Sequence, residues 1–439
     1  MLSCRMRATA VAAVMMATSI AACSSASPAS PARVLRIGVD LPLSGAEARA
    51  AIPALNGIRF YVQTHPLIDG YSVVLDARDD ASSAGRADPQ RGVSNVDGFV
   101  SEPTVVAMLG PFDAAVARKE IPVANAASLA MVTPATSNPC LTRDTYLPAI
   151  LNPVRTEITC KAAGLPSASE LRPLGGNNFF RLAATDELQG AAAADFALAK
   201  LHVLRAAVIS DHEAYGQGLA AAFSSRFVRS GGTVVGRLDV GAGGGADVGA
   251  FLGRARSDGA QAVYYGGGAE PGCAIRAQMA AAFPAGSATP FLGADGIAHD
   301  PRCVAAAGQN SAGIYASVPI PDASQLPAAG ATLKAFHSAF GTATAYGLYT
   351  IVAYDATAIL YSAIDRAVSA AAGALPARSA IVSELARGSG LAGVTGQLGF
   401  DGAGDTTNRV ITIFESPAPR SRAPWKPVGA VDYSAKLPY

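Results

Sequence analysis

Along the chain, short apolar runs bounded by turn residues alternate with longer Ala-rich amphipathic stretches. That is the pattern of buried parallel strands covered by helices. Apolar runs predict strands at Leu35 to Leu41, Ser72 to Asp76, Val105 to Leu109 and Ala130 to Thr133, with helices at Ala48 to Thr64, about Pro89 to Val100 and Asp113 to Asn125 between them. A loop-rich stretch from Pro139 to Asn178 follows, carrying Pro148, Pro153, Pro166, Pro173 and the Gly175-Gly176 pair. The alternation then restarts, with strands at Arg205 to Ser210, Thr233 to Val240, Ala262 to Tyr265 and Phe291 to Gly293. Helices are expected at about Gln189 to Leu201, Gly216 to Ser230, Val248 to Ser257 and Gly272 to Ala282. Beyond them Gly313 to Pro321 reads as a strand, Ala328 to Phe340 and Tyr346 to Ala371 as helices, and the end from Val394 returns to strand and turn. Two serial βαβ units connected right-handedly give an α/β fold of two doubly wound, Rossmann-like lobes facing each other across a cleft. The length agrees, because more than 400 residues exceed what one hydrophobic core usually serves.

The first residues change the picture of where this fold works. Arg5 and Arg7 precede an apolar run from Ala8 to Met16 that continues through Ile20 to Cys23, the grammar of an export signal over residues 1–22. The run is too short to span a bilayer as helix. Its end, Ile20-Ala21-Ala22-Cys23, resembles the bacterial lipobox, in which the Cys is acylated before the signal is cut, although Ile20 stands where Leu is favoured. A plain secretory signal ending in the same Ala-Ala is the alternative. Residues 23–33, rich in Ser, Ala and Pro, form a flexible tether reaching about 30 Å when stretched. The expected location is extracytoplasmic, anchored to the cell membrane by lipid on Cys23.

Charge and cysteine usage narrow the function classes. A net charge of +1 from evenly mixed signs, with no basic stripe, argues against a nucleic-acid partner. No second stretch is apolar and unbroken enough to be transmembrane. Apart from Cys4 and Cys23 four cysteines remain, an even count that outside the cytoplasm points to disulfides with three possible connectivities. Cys140 with Cys160 and Cys273 with Cys303 are favoured, since each pair is close in sequence and brackets a loop-like segment. Metal binding is the competing reading, yet no CxxC or HxxxH spacing supports it.

A run of short motifs in order is similar to the extracytoplasmic solute-binding proteins of ABC transporters, in the leucine/isoleucine/valine-binding family. They are Ile37-Gly38-Val39-Asp40-Leu41-Pro42-Leu43-Ser44-Gly45, Val132-Thr133-Pro134-Ala135-Thr136-Ser137-Asn138 with Leu141-Thr142, and Phe179-Phe180-Arg181. Tyr215-Gly216-Gln217-Gly218, Val263-Tyr264-Tyr265-Gly266-Gly267, Phe291-Leu292-Gly293-Ala294-Asp295-Gly296, Tyr354-Asp355-Ala356 and Gly396-Gln397-Leu398-Gly399-Phe400-Asp401 complete it. The resemblance implies a type I periplasmic binding protein with three crossings between lobes, near 178–182, 313–321 and 393–400. The first lobe would then hold 34–178 plus 322–393, and the second 179–313 plus 400–439. Hinge closure around a small polar solute, an amino acid or related amide or carboxylate, would present the closed form to an ABC permease. A monomer without cofactor or metal is implied.

The resemblance also implies a set of cleft residues, each with a plainer alternative. Phe112 and Asp113 stand where amino-acid binders of the family hold the ligand carboxylate with a Ser; Asp before a helix is also an ordinary N-cap. If Asp113 faces the cleft it repels a carboxylate. Thr133, Pro134, Ala135 and Thr136 match backbone and hydroxyl donors to that carboxylate, or form a simple turn. Tyr215 matches a cleft-facing aromatic, or packs. Asp295 matches an acidic residue that pairs with a ligand ammonium, or is a turn residue before Gly296. Gly267 and Gly268 line the same wall, and Gly268 replaces a Tyr common in the family, which opens or rebuilds the pocket there.

Rival functions have weaker signatures. An enzyme is disfavoured because His65, His202, His212, His299 and His337 are scattered, with no Ser or Cys partner at a recognised spacing. His212 between Asp211 and Glu213 is the one acid/base or metal candidate, against a solvated turn. The GxGxxG match at Gly388, Gly390 and Gly393 follows a helix, not a strand, and so lacks dinucleotide context. A ligand sensor for a receptor kinase would use the same cleft as a transport receptor.

Overall fold

The computed structural model describes residues 33–149, 156–241, 247–283, 289–307, 313–341, 343–388, 390–417, 421 and 423–438. The export signal 1–22, Cys23 and nearly all of the tether lie outside the described residues. Two sheets organise the rest. In the first, the strands run in the order Leu67–Ile68, Tyr71–Asp79, Arg33–Leu41, Val105–Leu109, Ala130–Thr133 and Phe179–Arg181. The second runs Thr233–Asp239, Arg205–Ser210, Ala262–Gly266, Phe291–Gly293, Ile314–Val318, Val410–Glu415 and Lys426–Asp432. Apart from the hairpin at Leu67–Ile68 and the last two strands of the second sheet, every pairing is parallel. Ignoring those antiparallel additions, each sheet has the doubly wound order 2-1-3-4-5, whose switch point lies between its first and third strands.

Parallel strands covered on both faces read as unbroken apolar runs, which is why Val105–Leu109 and Ala262–Gly266 are buried at every position. The long helix Thr350–Ala370 lies on Ala48–Thr64 of the first lobe. Their approach depends on Gly57, where an added Cβ would fall 1.9 Å from the carbonyl oxygen of Thr350. A further helix, Arg378–Ala386, which periodicity did not reveal, docks nearby. Its Arg378 guanidinium donates to the carbonyls of Phe99, Val100, Glu102 and Val105, satisfying orphan acceptors at the end of helix Pro89–Ser101. Chain after the second sheet's first five strands thus returns to the first lobe before Val410–Glu415 rejoins the second.

Two boundaries differ from expectation by a few residues. Phe179–Arg181 pairs with Ala130–Thr133, so it belongs to the first sheet and the chain crosses only after Arg181. Ile314–Val318 pairs with Phe291–Gly293 in the second sheet, so the return crossing begins after Val318. Both segments are too short and too close to a crossing for their side to be told from apolar pattern.

An ion network fastens the crossings together. Arg181, with no exposed surface, donates from Nε to Asp405 Oδ1 at 2.7 Å, and Arg143 Nε donates to Asp405 Oδ2 at 2.6 Å. Thr142 Oγ1 adds a third donor at 2.7 Å, while Arg143 and Arg409 both reach Asp401. The cysteines are paired Cys140–Cys160 and Cys273–Cys303. The first bond ties the turn Pro139–Leu141 to the residue after strand Ile158–Thr159, and the second joins helix Ala269–Ala282 to helix Pro301–Ala307. Among the described residues no helix is long and apolar enough to cross a membrane.

Candidate functional site

The switch points mark a candidate site beyond the carboxyl ends of Arg33–Leu41 and Val105–Leu109 on one lobe and of Arg205–Ser210 and Ala262–Gly266 on the other. From the second lobe, Asp295 follows Phe291–Gly293 and Tyr215 opens helix Ala214–Arg229. The Tyr215 hydroxyl donates to Asp295 Oδ1 at 2.5 Å. Gln189, on helix Asp186–Ala199, donates from Nε2 to the same oxygen at 2.8 Å and to the Ser317 carbonyl at 2.8 Å. The third donor comes from the opposite lobe: Tyr349, at the mouth of helix Thr350–Ala370, donates to Asp295 Oδ2 at 2.6 Å. A carboxylate has about four lone-pair sites, so three donors fix Asp295 and leave room for one more.

Burial, with the Asp295 charge second, pushes both phenols well above their ordinary range, so Tyr215 and Tyr349 remain neutral donors. Phe112 sets its ring edge-on to Tyr349 with centroids 5.0 Å apart. These contacts bring Phe112, Tyr215 and Asp295 together across the cleft. At its lip a second cross-lobe contact pairs Arg86 with Glu270 at 3.4 Å, both well exposed.

The remaining first-lobe residues are engaged differently. Asp113 is the N-cap of helix Ala114–Ala126, its Oδ1 accepting from the amides of Ala115 at 2.6 Å and Val116 at 3.1 Å. Thr133 and Thr136 turn their hydroxyls inward, donating to the Pro111 carbonyl at 2.6 and 2.8 Å. The amides of Ala135 and Thr136 point to Thr133 Oγ1, and the whole segment with Pro134 is buried. In the second lobe Gly267 has φ +144°, and a Cβ there would strike Asp211 Oδ2 at 2.3 Å, so glycine is required. Gly268, whose amide donates to that same Asp211 oxygen, caps helix Ala269–Ala282, and a Cβ on it would meet nothing within 4 Å. The wall is open at Gly268.

Sequence reading missed Tyr349, Gln189 and Asp186. Tyr349 stands five residues before the Tyr354-Asp355-Ala356 motif, and its position at a helix mouth was the one available signal. Asp186, at the first position of its helix and 1% exposed, makes no side-chain hydrogen bond of ordinary geometry among the described residues, with the Ser137 hydroxyl beside its carboxylate. His212 is exposed, with φ +69°, and among the described residues its side-chain hydrogen-bond contact is the amide of Gln217, which is no acid/base partner. Among the described residues no group of His, Cys, Asp and Glu is arranged to hold a metal ion. In the glycine run at 388–393, Leu391–Gly393 pairs with Gly396–Leu398 in a small hairpin rather than opening a helix.

Comparisons with known proteins agree with this architecture. The model of the periplasmic binding protein family matches residues 34–418. Leu/Ile/Val-binding protein homolog 3 of Brucella melitensis is 28% identical over 385 residues, covering 87% of this chain and 91% of its own length. The leucine-, isoleucine-, valine-, threonine- and alanine-binding protein of Pseudomonas aeruginosa is 29% identical over 250 residues, 57% of this chain and 63% of its own. Among solved structures, a leucine binding protein from Thermotoga maritima superposes with a TM-score of 0.69 at 22% identity, covering 91% of this chain and 99% of that one. A solute binding protein of an ABC transporter from R. palustris, in complex with 4-hydroxybenzoate, reaches 0.70 at 15% identity, covering 92% and 98%. With the family model spanning both lobes and all three crossings, this chain belongs to the periplasmic binding protein family.

Proposed function

We propose that the protein captures a small polar solute, an amino acid or a related amide or carboxylate, between its lobes and delivers it to an ABC permease. The observation that carries the reading is Asp295, a carboxylate on one lobe held by donors from both, with a lone-pair site left for a ligand ammonium. Relatives named for leucine, isoleucine and valine binding support an amino-acid-like solute. As a member of this family the chain is a solute-binding protein and not an enzyme.

The test is thermal melting against a library of amino acids, amides, short-chain acids and aromatic acids. A true ligand at 100 times its Kd adds about 2.7 kcal/mol of stability. Asp295→Ala is expected to abolish the shift; a library that moves the melting point nowhere removes the reading.

The same proposal places the protein outside the cytoplasm, as a monomer held by lipid on Cys23 with a tether of about 30 Å. Confinement near the membrane raises its effective concentration at the permease. Cys23→Ala is expected to release the protein from the membrane fraction in cells and to end its labelling by radioactive palmitate. Retention and labelling of the variant would refute the anchor.

A further inference from the structure

The Asp295 anchor accounts for only part of the polar chemistry buried in the cleft. One helix turn before Gln189 lies Asp186, on the same face of Asp186–Ala199, since residues three apart on a helix have Cβ atoms about 5–6 Å apart. Gln189 is fixed in orientation: its amide nitrogen serves Asp295 and the Ser317 carbonyl, so Oε1 is turned away from both. Among the described residues that oxygen is buried and accepts nothing, and the carboxylate of Asp186, which makes no hydrogen bond of ordinary geometry, has the Ser137 hydroxyl beside it as a donor. The helix dipole favours an acid in a first turn, but it does not supply hydrogen bonds to a carboxylate shut away from water. Unpaired buried acceptors of this kind are destabilising unless something donates to them.

We propose that Asp186 and Gln189 Oε1 are ligand-reading groups, and that the ligand carries an extended cationic head with several N–H donors, such as a guanidinium or amidinium, lying against Asp186, Gln189 and Asp295. A planar fork of N–H groups matches a carboxylate better than a single ammonium does. This deepens the solute-binding reading and rests on it. The matching donors for a bare α-carboxylate are otherwise occupied, because the Thr133 and Thr136 hydroxyls serve the Pro111 carbonyl and the amides of Ala115 and Val116 serve the Asp113 carboxylate.

Isothermal titration of the full chain with agmatine, L-arginine, L-leucine and 4-hydroxybenzoate tests it. The guanidinium compounds are expected to bind, and Asp186→Asn to weaken them about tenfold or more. Leucine binding with no response to agmatine or arginine overturns the inference and leaves solute binding standing; silence from all four in titration and from the melting library overturns both. Unchanged agmatine affinity in Asp186→Asn also overturns it.

A readout in the unaltered protein guards against a misfolded variant. Burial lifts Asp186 to about 7, the Ser137 hydroxyl opposing and the Glu187 and Asp295 charges adding to the rise, with Arg181 opposing. The other groups facing it, Tyr146, Tyr215, Tyr264 and Tyr349, titrate above the working range. A cation must therefore displace a proton below pH 7, so agmatine affinity should fall about tenfold from pH 8 to pH 6 with proton release at pH 6.5. A flat profile rejects the role.

Discussion

At the scale of single residues, the cleft is a set of hydrogen bonds converging on one carboxylate. Tyr349→Phe removes one of three donors to Asp295 while keeping the ring that Phe112 packs against. A hydrogen bond to a charged group contributes about 1.5–3 kcal/mol, so titration with a ligand found in the melting screen should show affinity reduced by roughly tenfold or more. Unaltered affinity would mean the phenol only fills space. Asp295 and Tyr215 are candidates from the sequence because each sits in a short motif that follows a strand. Gln189, Asp186 and Tyr349 are not, since helix-start positions in Ala-rich stretches carry no motif and their neighbours lie 54 to 128 residues away. The inward turn of Thr133 and Thr136 was equally hidden, because a hydroxyl's choice between solvent, ligand and the Pro111 carbonyl depends on packing. Asp405 belongs to the same scale. Burial raises its pKa, but Arg181, Arg143 and the Thr142 hydroxyl outweigh that and hold it below the usual carboxylate range. Its stabilisation is present above the unfolded value and is lost as pH falls through the folded one. Asp405→Ala strands Arg181 without its carboxylate partner and should cost about 3–5 kcal/mol in denaturant unfolding at pH 7.

Elements are where the sequence spoke most clearly. Val105–Leu109, Ala130–Thr133, Arg205–Ser210 and Phe291–Gly293 fall at the residues the apolar runs predict, and so do the helices Ala48–Thr64 and Val248–Ser257. Helix Arg378–Ala386 escaped because its nine residues have almost no amphipathic bias, and it is fixed by Arg378 reaching four foreign carbonyls. The contact of Ala48–Thr64 with Thr350–Ala370 is a backbone approach that only a missing side chain allows. Gly57→Val must push the two helices apart, and overpacking of this kind costs about 1–3 kcal/mol or more. Thermal melting should register it, and a melting point equal to the parent's would contradict the close contact. Among the described residues of the segment closed by Cys140–Cys160, regular structure is limited to a 3-10 turn at Pro139–Leu141 and the short paired strands Thr145–Leu147 and Ile158–Thr159. With a sequence separation of 20 between the two cysteines, removing the bond by a paired Cys→Ser change should cost about 3 kcal/mol.

For the molecule as a whole, the pH dependence of stability has two opposing sources. In the first lobe, burial lifts Asp40 to about 6 and Asp80 to about 8, and Glu120 well above the usual range. These groups hold protons that the unfolded chain releases, so what they contribute is complete in acid and is lost as pH rises toward 8. Asp80→Asn should raise the melting point at pH 8 and leave it nearly unchanged near pH 4. Parallel curves for parent and variant across that range would exclude Asp80 as the source. Asp405 works in the other direction, so the two lobes with their hinge should be most stable in mildly acidic solution.

The hydroxyl that Tyr349 extends across the cleft also bears on competition from the medium. An anchor left bare would collect sodium or ammonium from outside the cell between encounters with solute. Here neutral phenols and an amide already hold three of the lone-pair sites of Asp295, so an incoming ammonium meets a carboxylate fixed in place and takes the site that is left. Capture should then weaken with added salt only as far as screening of the two charges requires.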